Sequence, residues 1–456
     1  MTGQGARTVA SSPAQRERRR QLDEAGQVGL LRHCLTVGVE LIGTVTLEPL
    51  QRAVDWVAER HPALRSTFPV GQDHHVVHDD LRIRVGRRFI TGPEPDQRWE
   101  QAVDFAYQDR MRPFDLVAGP LLRANLLSVG PERHLLVLSF DQMVTDARSA
   151  VVVVDEIVEC AHLLGSGKPL AVPGSDGYPD FRRDSVAWLT GPAGTAAVRD
   201  RRAALRGTTH ALPWRRMPDE GDGDSLAHTT ISLPDDVSDK LFESAKEIRV
   251  LPFAAAVAAF ALMAAGAGGV DRYTVTSMFA CRLTRAADDV VGWLANRVAV
   301  VIPQWTGTVE DVVRAAHGEV MAALDKQRVP LEQHGNTGHN LTASLLYLSE
   351  QLSGATQTDM RMGRAAARRL AVSFCPTGAD VDLFLAEGVR QLTGEQPRLA
   401  VGGVSVRSRV GHAQLRDLVT SCAGALEVVA SVPWRTCTAA DALARVRDHV
   451  PAVRAS

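Results

Sequence analysis

The sequence predicts an α/β protein built as two lobes. Three observations point there. Helix-period and strand-period apolar patterns mix along the chain without a regular βα repeat. A stretch near the middle rich in proline, glycine and acid (210–225, HALPWRRMPDEGDGDS) separates two regions that each contain both patterns. The length, 456 residues, suits two ordinary domains or one large two-lobed unit.

In chain order, 45–60 places Leu50, Ala53, Val54 and Val57 on one helical face and reads as an amphipathic helix. The apolar run 121–127 precedes Gly130 and Pro131, which suggest a hairpin turn, and 134–140 (HLLVLSF) follows as a strand. A polar loop, 141–148, then leads to a helix over 149–164, which places that loop at the exposed end of a core strand. Beyond 210–225, whose burial cannot offset its ordering entropy, a strand (228–233) and a helix from Asp235 restart the pattern. A long buried helix is expected over 249–265, strands over 273–280 and 343–348, and an amphipathic helix over 310–325. The expected organisation is a basic N-terminal arm (1–20), an N-terminal lobe (21–209), the linker (210–225) and a C-terminal lobe (226–456).

Composition narrows the function. Apolar residues at 45% and charged residues at 23% are the balance of a globular protein with a full core. A formal charge of −2 supports neither a nucleic-acid nor a membrane-surface role, because neither sign dominates. The six cysteines are scattered, with no C-x-x-C and no metal spacing, so reduced structural thiols are expected. Arg16, Arg18, Arg19 and Arg20 are not followed by an apolar segment, which excludes a secretory signal. The apolar stretch 253–265 is too short and alanine-rich for a membrane span. A cytoplasmic location is the default expectation. No phosphate-binding glycine pattern and no G-x-S-x-G elbow occurs.

Several segments match one family in order. Arg60-His61-Pro62-Ala63-Leu64-Arg65-Ser66-Thr67-Phe68 resembles the R-H-x-x-L-R-T-x-F signature of condensation domains of nonribosomal peptide synthesis. Phe114-Asp115-Leu116 with Gly119-Pro120-Leu121-Leu122-Arg123-Ala124 is similar to F-D-L-x-x-G-P-L-L-R-A, and Tyr178-Pro179-Asp180-Phe181 with Trp188 to Y-x-D-F/Y…W. Val291-Gly292-Trp293-Leu294-Ala295-Asn296 stands where I-G-x-F-V-N would be, and Gln327-Arg328-Val329-Pro330-Leu331-Glu332 where Q-D-x-P-F-E would be. The resemblance covers nearly the whole chain, read as a free-standing member. It implies two chloramphenicol-acetyltransferase-like lobes in a V-shaped pseudo-dimer with a central tunnel. Two carrier-protein phosphopantetheine arms would enter that tunnel from opposite faces, and no cofactor of the protein's own is implied. The expected partners are a peptidyl or acyl carrier protein and, on one reading, another biosynthetic enzyme.

The resemblance breaks at its centre. The family's H-H-x-x-x-D-G loop, whose second histidine assists attack on a thioester, aligns with Asp141-Gln142-Met143-Val144-Thr145-Asp146-Ala147. An imidazole with a pKa near 6.5 accepts a proton at neutral pH, and an amide does not. Gln142 can still donate hydrogen bonds to an amine or an oxyanion. Asp141 is the candidate replacement base, or else a solvated or salt-bridged loop residue. Asp146 is implied to pair with Arg282 as a structural latch. Ala147, Asn296 and His339 are expected beside the tunnel, His339 as an outside candidate for a displaced base.

Two further features are set aside. Ser12-Pro13-Ala14-Gln15 resembles the family's S-x-A-Q start, but arginines fill the apolar positions after it, so a frayed basic terminus is expected, with contact to an acidic carrier protein as the alternative. His74-His75-Val76-Val77-His78-Asp79-Asp80 fits H-H-x-x-x-D-D by letter and has metal-ligand types in His75, His78, Asp79 and Asp80. An exposed polar turn is the expectation, with no metal. Three functions remain open: acyl transfer by positioning without histidine, a non-catalytic module that recruits a tailoring enzyme, and an adaptor or decoy for a carrier protein.

Overall fold

The computed structural model describes residues 5–25, 34–172, 174, 177–209, 216–219, 225–267, 272–334, 343–348, 360–373, 379–388 and 397–449. The chain opens with β1 (Ala6–Ala10) and α1 (Pro13–Ala25). Ser12 and Gln15 close a capping box on α1: Gln15 N–H donates to Ser12 Oγ and Ser12 N–H to Gln15 Oε1, both at 2.8 Å. β2 (Cys34–Ile42) and α2 (Leu47–Arg60) follow, and α2 buries Leu50, Ala53, Val54 and Val57, the face its periodicity predicts. Two short strands, β3 (Ser66–Thr67) and β4 (His74–His78), pair with each other, and β4 also pairs with β1.

Two expectations are corrected here. The arm 1–20 is not a frayed basic terminus over its described part, because β1 and α1 pack there and Arg18 is buried. The histidine cluster is not an exposed turn: β4 alternates, with His75 and Val77 inward. His75 lies against Phe68 and Tyr178, at centroid distances of 5.2 and 6.3 Å. No group of three or more His, Cys, Asp or Glu able to hold a metal occurs among the described residues.

β5 (Val85–Phe89), α3 (Pro95–Arg110), β6 (Leu122–Ser128) and β7 (Arg133–Asp141) lead to α4 (Ala147–Gly165), α5 (Tyr178–Thr190) and α6 (Pro192–Ala204). The second half runs through β8 (Leu226–Ser232), α7 (Asp235–Glu247), α8 (Pro252–Gly266), β9 (Thr274–Phe279), β10 (Asn296–Val301) and α9 (Val309–Asp325). It ends with β11 (Ala343–Leu348), β12 (Met360–Met362), β13 (Ala365–Ser373), β14 (Val381–Glu387), β15 (Leu399–Val406), α10 (His412–Ser431) and α11 (Ala439–His449). α8 starts at Pro252 rather than at Arg249, whose φ of 59° turns the chain out of α7, and proline suits a first helical turn. Its residues from Phe253 to Ala264 are buried on every side, so it is a core helix. Among the described residues no single helix is long and apolar enough to cross a membrane.

Two six-stranded sheets organise these elements, in the orders β12-β13-β2-β7-β6-β5 and β10-β9-β11-β14-β15-β8. The first sheet therefore takes two strands from the second half of the sequence. A C-terminal lobe of 226–456 does not follow the sheets, because β13 leaves it to pair antiparallel with β2. That pairing covers what would otherwise be the open edge of a strand buried along nearly its whole length. Arg368 of β13 and Arg133 of β7 both pair with the buried Glu40 of β2. Of the expected linker, residues 216–219 and 225 are described. Met217 N–H donates to Gln414 Oε1 at 2.8 Å and Asp219 pairs with Arg407 at 2.7 Å, so this part is packed down.

Candidate functional site

The loop between β7 and α4 is held at both ends. Asp146 is the N-cap of α4 and accepts from Ser149 N–H at 2.8 Å, the role for which aspartate is suited. The same Oδ1 accepts from Arg282 Nη2 at 2.9 Å, and Oδ2 accepts from the N–H groups of Leu294 and Ala295 at 3.0 and 2.9 Å. Arg282 also donates through Nη1 to the carbonyls of Ala287 and Val290, at 2.6 and 2.9 Å. Ser149 Oγ donates to Gly292 O at 2.8 Å and accepts from Arg282 Nη2 at 2.8 Å. Both charged side chains are 4% exposed. The structure thus brings Asp146 and Arg282 together, and the pair joins α4 to the segment between β9 and β10.

Asp141 is held from the other side. Arg18 on α1 meets it bidentately, Nη1 to Oδ1 at 2.7 Å and Nη2 to Oδ2 at 3.0 Å, with side-chain exposures of 2% and 0%. Met143 N–H donates to the same Oδ1 at 2.8 Å, and Gln15 Nε2 donates to Met143 O at 2.7 Å. Facing Asp141 across the β2–β7 ladder is Cys34, whose thiol is pushed up to about 12 by burial first and the nearby Asp141 charge second. That cysteine stays a thiol and is inert. Asp141, with no exposed surface and its oxygens engaged, is out of reach of a reactant.

Gln142 lies between these two anchors and is 8% exposed. Its carbonyl accepts from Thr145 N–H at 3.4 Å. Ala147 is the first, half-buried residue of α4. Asn296 begins β10, donating through Nδ2 to the carbonyls of Gln327 and Val329 at 2.8 and 2.7 Å. His339 lies outside the described residues.

Beside the loop opens a cleft of about 550 Å³. One wall is the start of α1 and the length of α5; the other comes from 281–296 and 327–330. Asn296, Cys281 and Gln327 line it, whereas Gln142 and Asp146 do not. The walls meet tightly: a methyl group on Gly292 would lie 2.3 Å from the Tyr178 ring. Cys281, at φ 55°, donates its N–H to Gln327 Oε1 at 3.0 Å. The sequence segments 178–181, 291–296 and 327–332 therefore converge on one place, though they are far apart in the chain.

Sequence reasoning missed Arg18, Gln15 and Ser149. For Gln15 and Ser149 the signals were present: Ser12 and Gln15 have capping-box spacing, and Ser149 sits three positions after an N-cap aspartate. Arg18 carried none, being one of several arginines close together.

The model of the condensation-domain family matches residues 7–343 of this chain. Among curated relatives, tyrocidine synthase 2 of Brevibacillus parabrevis is 25% identical over 312 residues, which is 64% of this chain and 8% of that protein. Phosphinothricin tripeptide synthetase PhsC of Streptomyces viridochromogenes is 24% identical over 362 residues, covering 76% of this chain and 33% of that protein. The chain therefore spans a third or less of the length of these relatives. Among solved structures, the first condensation domain of the CDA synthetase superposes with a TM-score of 0.77 at 16% identity, covering 95% of this chain and 98% of that one. The SgcC5 protein from Streptomyces globisporus gives 0.75 at 16% identity, covering 88% and 93%. These superpositions establish the fold.

Proposed function

The chain belongs to the condensation-domain family, and from that premise we propose that it promotes acyl transfer on carrier-protein-bound thioesters without a catalytic histidine. An amine or hydroxyl attacks the thioester carbonyl, a C–N or C–O bond forms, the C–S bond breaks, and the nucleophile's proton leaves with the thiol or to solvent. Gln142 is the positioning group in this reading, its amide N–H donating to the nucleophile or to the tetrahedral oxyanion. A base is typically worth about 10²–10⁴-fold, so an activated thioester brought against a tethered acceptor retains most of its advantage without one. The reactants arrive on the phosphopantetheine arms of partner carrier proteins, through a tunnel between two lobes, and the protein works in the cytoplasm.

One observation supports the reading: the loop is anchored by Asp146 to the second half and by Asp141 to α1. The two anchors fix the backbone on either side of Gln142, which a positioning role requires. The test is incubation with an acyl-loaded carrier protein and a panel of amines and alcohols, followed by mass spectrometry of the carrier arm. Turnover is expected, with a drop in Gln142→Ala and a gain of roughly tenfold or more in Gln142→His. Binding of the carrier without turnover in any of the three proteins sinks the catalytic reading.

A second reading, a non-catalytic module that binds a carrier protein or recruits a tailoring enzyme, draws on the other side of the same two ion pairs, which leave the loop without a free acid or base. Both ionisable side chains of the loop, Asp141 and Asp146, are buried and paired. The same assay separates the two readings.

A further inference from the structure

Helix α5 carries Asp180, Arg182, Arg183 and Asp184 in close succession, and its charges do not pair as the sequence suggests. The exposed Arg183 takes both carboxylates, Asp180 at 2.7 Å and Asp184 at 3.3 Å. Arg182 points the other way, lines the cleft and is 7% exposed. Its Nε and Nη2 are buried without a hydrogen-bond partner among the described residues. Trp293, on the facing wall, is 8% exposed, and its Nε1–H is likewise buried without a partner. Both residues line one cleft, and each holds a buried donor without a partner among the described residues. A buried guanidinium is normally paired, and an unpaired buried donor costs about 1–3 kcal/mol, more when charged.

The surroundings do not neutralise Arg182. Burial pulls its pKa down, and the neighbouring Arg16 acts in the same direction, with Tyr178 opposing. His75, beside Tyr178, is held neutral by burial and then by Arg182 itself. At the mouth of the cleft Arg328 stacks over Trp188, 4.2 Å from the ring centroid, where the family pattern has an acid. Asp180 and Asp184 also line the cleft, but Arg183 takes both; the unpartnered groups among the described lining residues, on Arg182 and Trp293, are donors, so the missing partner is an acceptor.

We propose that this cleft binds an oxyanion, a carboxylate or a phosphate carried by the ligand that enters it, with Arg182 and Trp293 as the donors. The inference rests on the acyl-transfer reading only for which reactant brings the anion: the phosphate of a pantetheine arm or the free carboxylate of a small acceptor. Arg182 binds the group as a fork and Trp293 adds a neutral donor from the other half. The ligand then bridges the two walls.

Calorimetry on the purified chain with two matched pairs tests this. One pair is phosphopantetheine and pantetheine; the other is N-acetyl-L-leucine and N-acetyl-L-leucinamide. In one pair at least, the anion should bind about tenfold or more tighter than its neutral partner, and the difference should shrink with salt. Discrimination in the first pair assigns the phosphate, and in the second the carboxylate. Arg182→Gln should abolish the difference, Arg182→Lys should keep part of it, and Trp293→Phe should reduce it. Because Nε and Nη2 of Arg182 are buried without a partner among the described residues, Arg182→Gln should leave the unfolding midpoint unchanged or raised. No discrimination in either pair, or a lowered midpoint with discrimination intact in Arg182→Gln, overturns the proposal. No discrimination by the unsubstituted chain with acyl transfer intact sinks this inference alone; discrimination by the unsubstituted chain without transfer sinks only the catalytic reading.

Discussion

Asp141 and Asp146 stand on the same loop, both buried and both paired with an arginine, yet they do different work. Asp146 reaches across to Arg282 and the backbone of Leu294 and Ala295, in the second half of the chain. Asp141 reaches back to Arg18, on the N-terminal helix. One aspartate joins the halves and the other seats α1 under the loop. Gln142 lies between them, its backbone fixed on both sides by these two anchors.

The largest effect should come from the joint between halves. Arg282→Ala leaves Asp146 as a buried charge with backbone donors only, and should cost about 3–5 kcal/mol, read as a lower urea midpoint. Arg18→Ala strands Asp141 in the same way, but the segment it releases lies at the chain's start and can open locally. The expected cost is smaller, about 2–3 kcal/mol, with early proteolytic cleavage within 6–25. The double variant Arg18→Ala/Asp141→Ala should recover part of that cost, since neither charge is then left alone. If the two arginine variants unfold identically, in one step and at one midpoint, the distinction between the joints fails.

The same contrast explains what the sequence could tell. Asp146 sits where an N-cap belongs, between an apolar strand and an apolar helix, and a family resemblance named Arg282 as its partner. Arg18 shares its neighbourhood with Arg16, Arg19 and Arg20, and nothing local says which arginine turns inward. That choice is made by a contact 123 positions along the chain, beyond the reach of any periodicity. The strand β4 was legible in principle, because His75 and Val77 alternate with His74, Val76 and His78, but three histidines beside two aspartates read as solvent. β13 was not: its Ala-Ala-Ala-Arg-Arg start has no strand signature, and only the edge of β2 makes it one. Elements with a strong apolar period followed local pattern, whereas β13 and the pairing between distant segments did not.

A smaller change tests how tightly the first joint is closed. Gly292 gives its N–H to Ser149 Oγ at 3.1 Å and has the Tyr178 ring against its Cα. Gly292→Ala forces that ring or the segment 291–295 aside and should cost about 1–3 kcal/mol. Where the segment 291–295 gives way, the N-terminal segment should keep its protease resistance; the Tyr178 ring lies against His75 and its hydroxyl accepts from Gln15 Nε2 at 3.4 Å, so a displaced ring should loosen 6–25 as well. Cleavage within 6–25 of a Gly292→Ala protein would mean that this ring makes the two joints one.

The smallest effect at ordinary pH separates the joints by titration. His75 packs under the N-terminal segment, near Ser11, and its pKa is lowered to about 4 by burial, then by Arg182 and lesser charges. The folded protein holds this histidine neutral while the unfolded chain protonates it near 6.5. Between those values the unfolded state binds the extra proton, so stability falls as pH drops from about 6.5 toward 4 and is unaffected above. At pH 6 the loss is under ~1 kcal/mol, growing by up to about a factor of ten in the unfolding constant per further pH unit. His75→Phe, between Phe68 and Tyr178, should flatten this limb while leaving the midpoint at pH 8 nearly unchanged. Because His75 belongs to the seat of α1 and not to the joint between halves, acid should open 6–25 before it separates α4 from the 282–295 segment. Hydrogen exchange at pH 5 reads both regions at once, and simultaneous loss of protection would overturn the order.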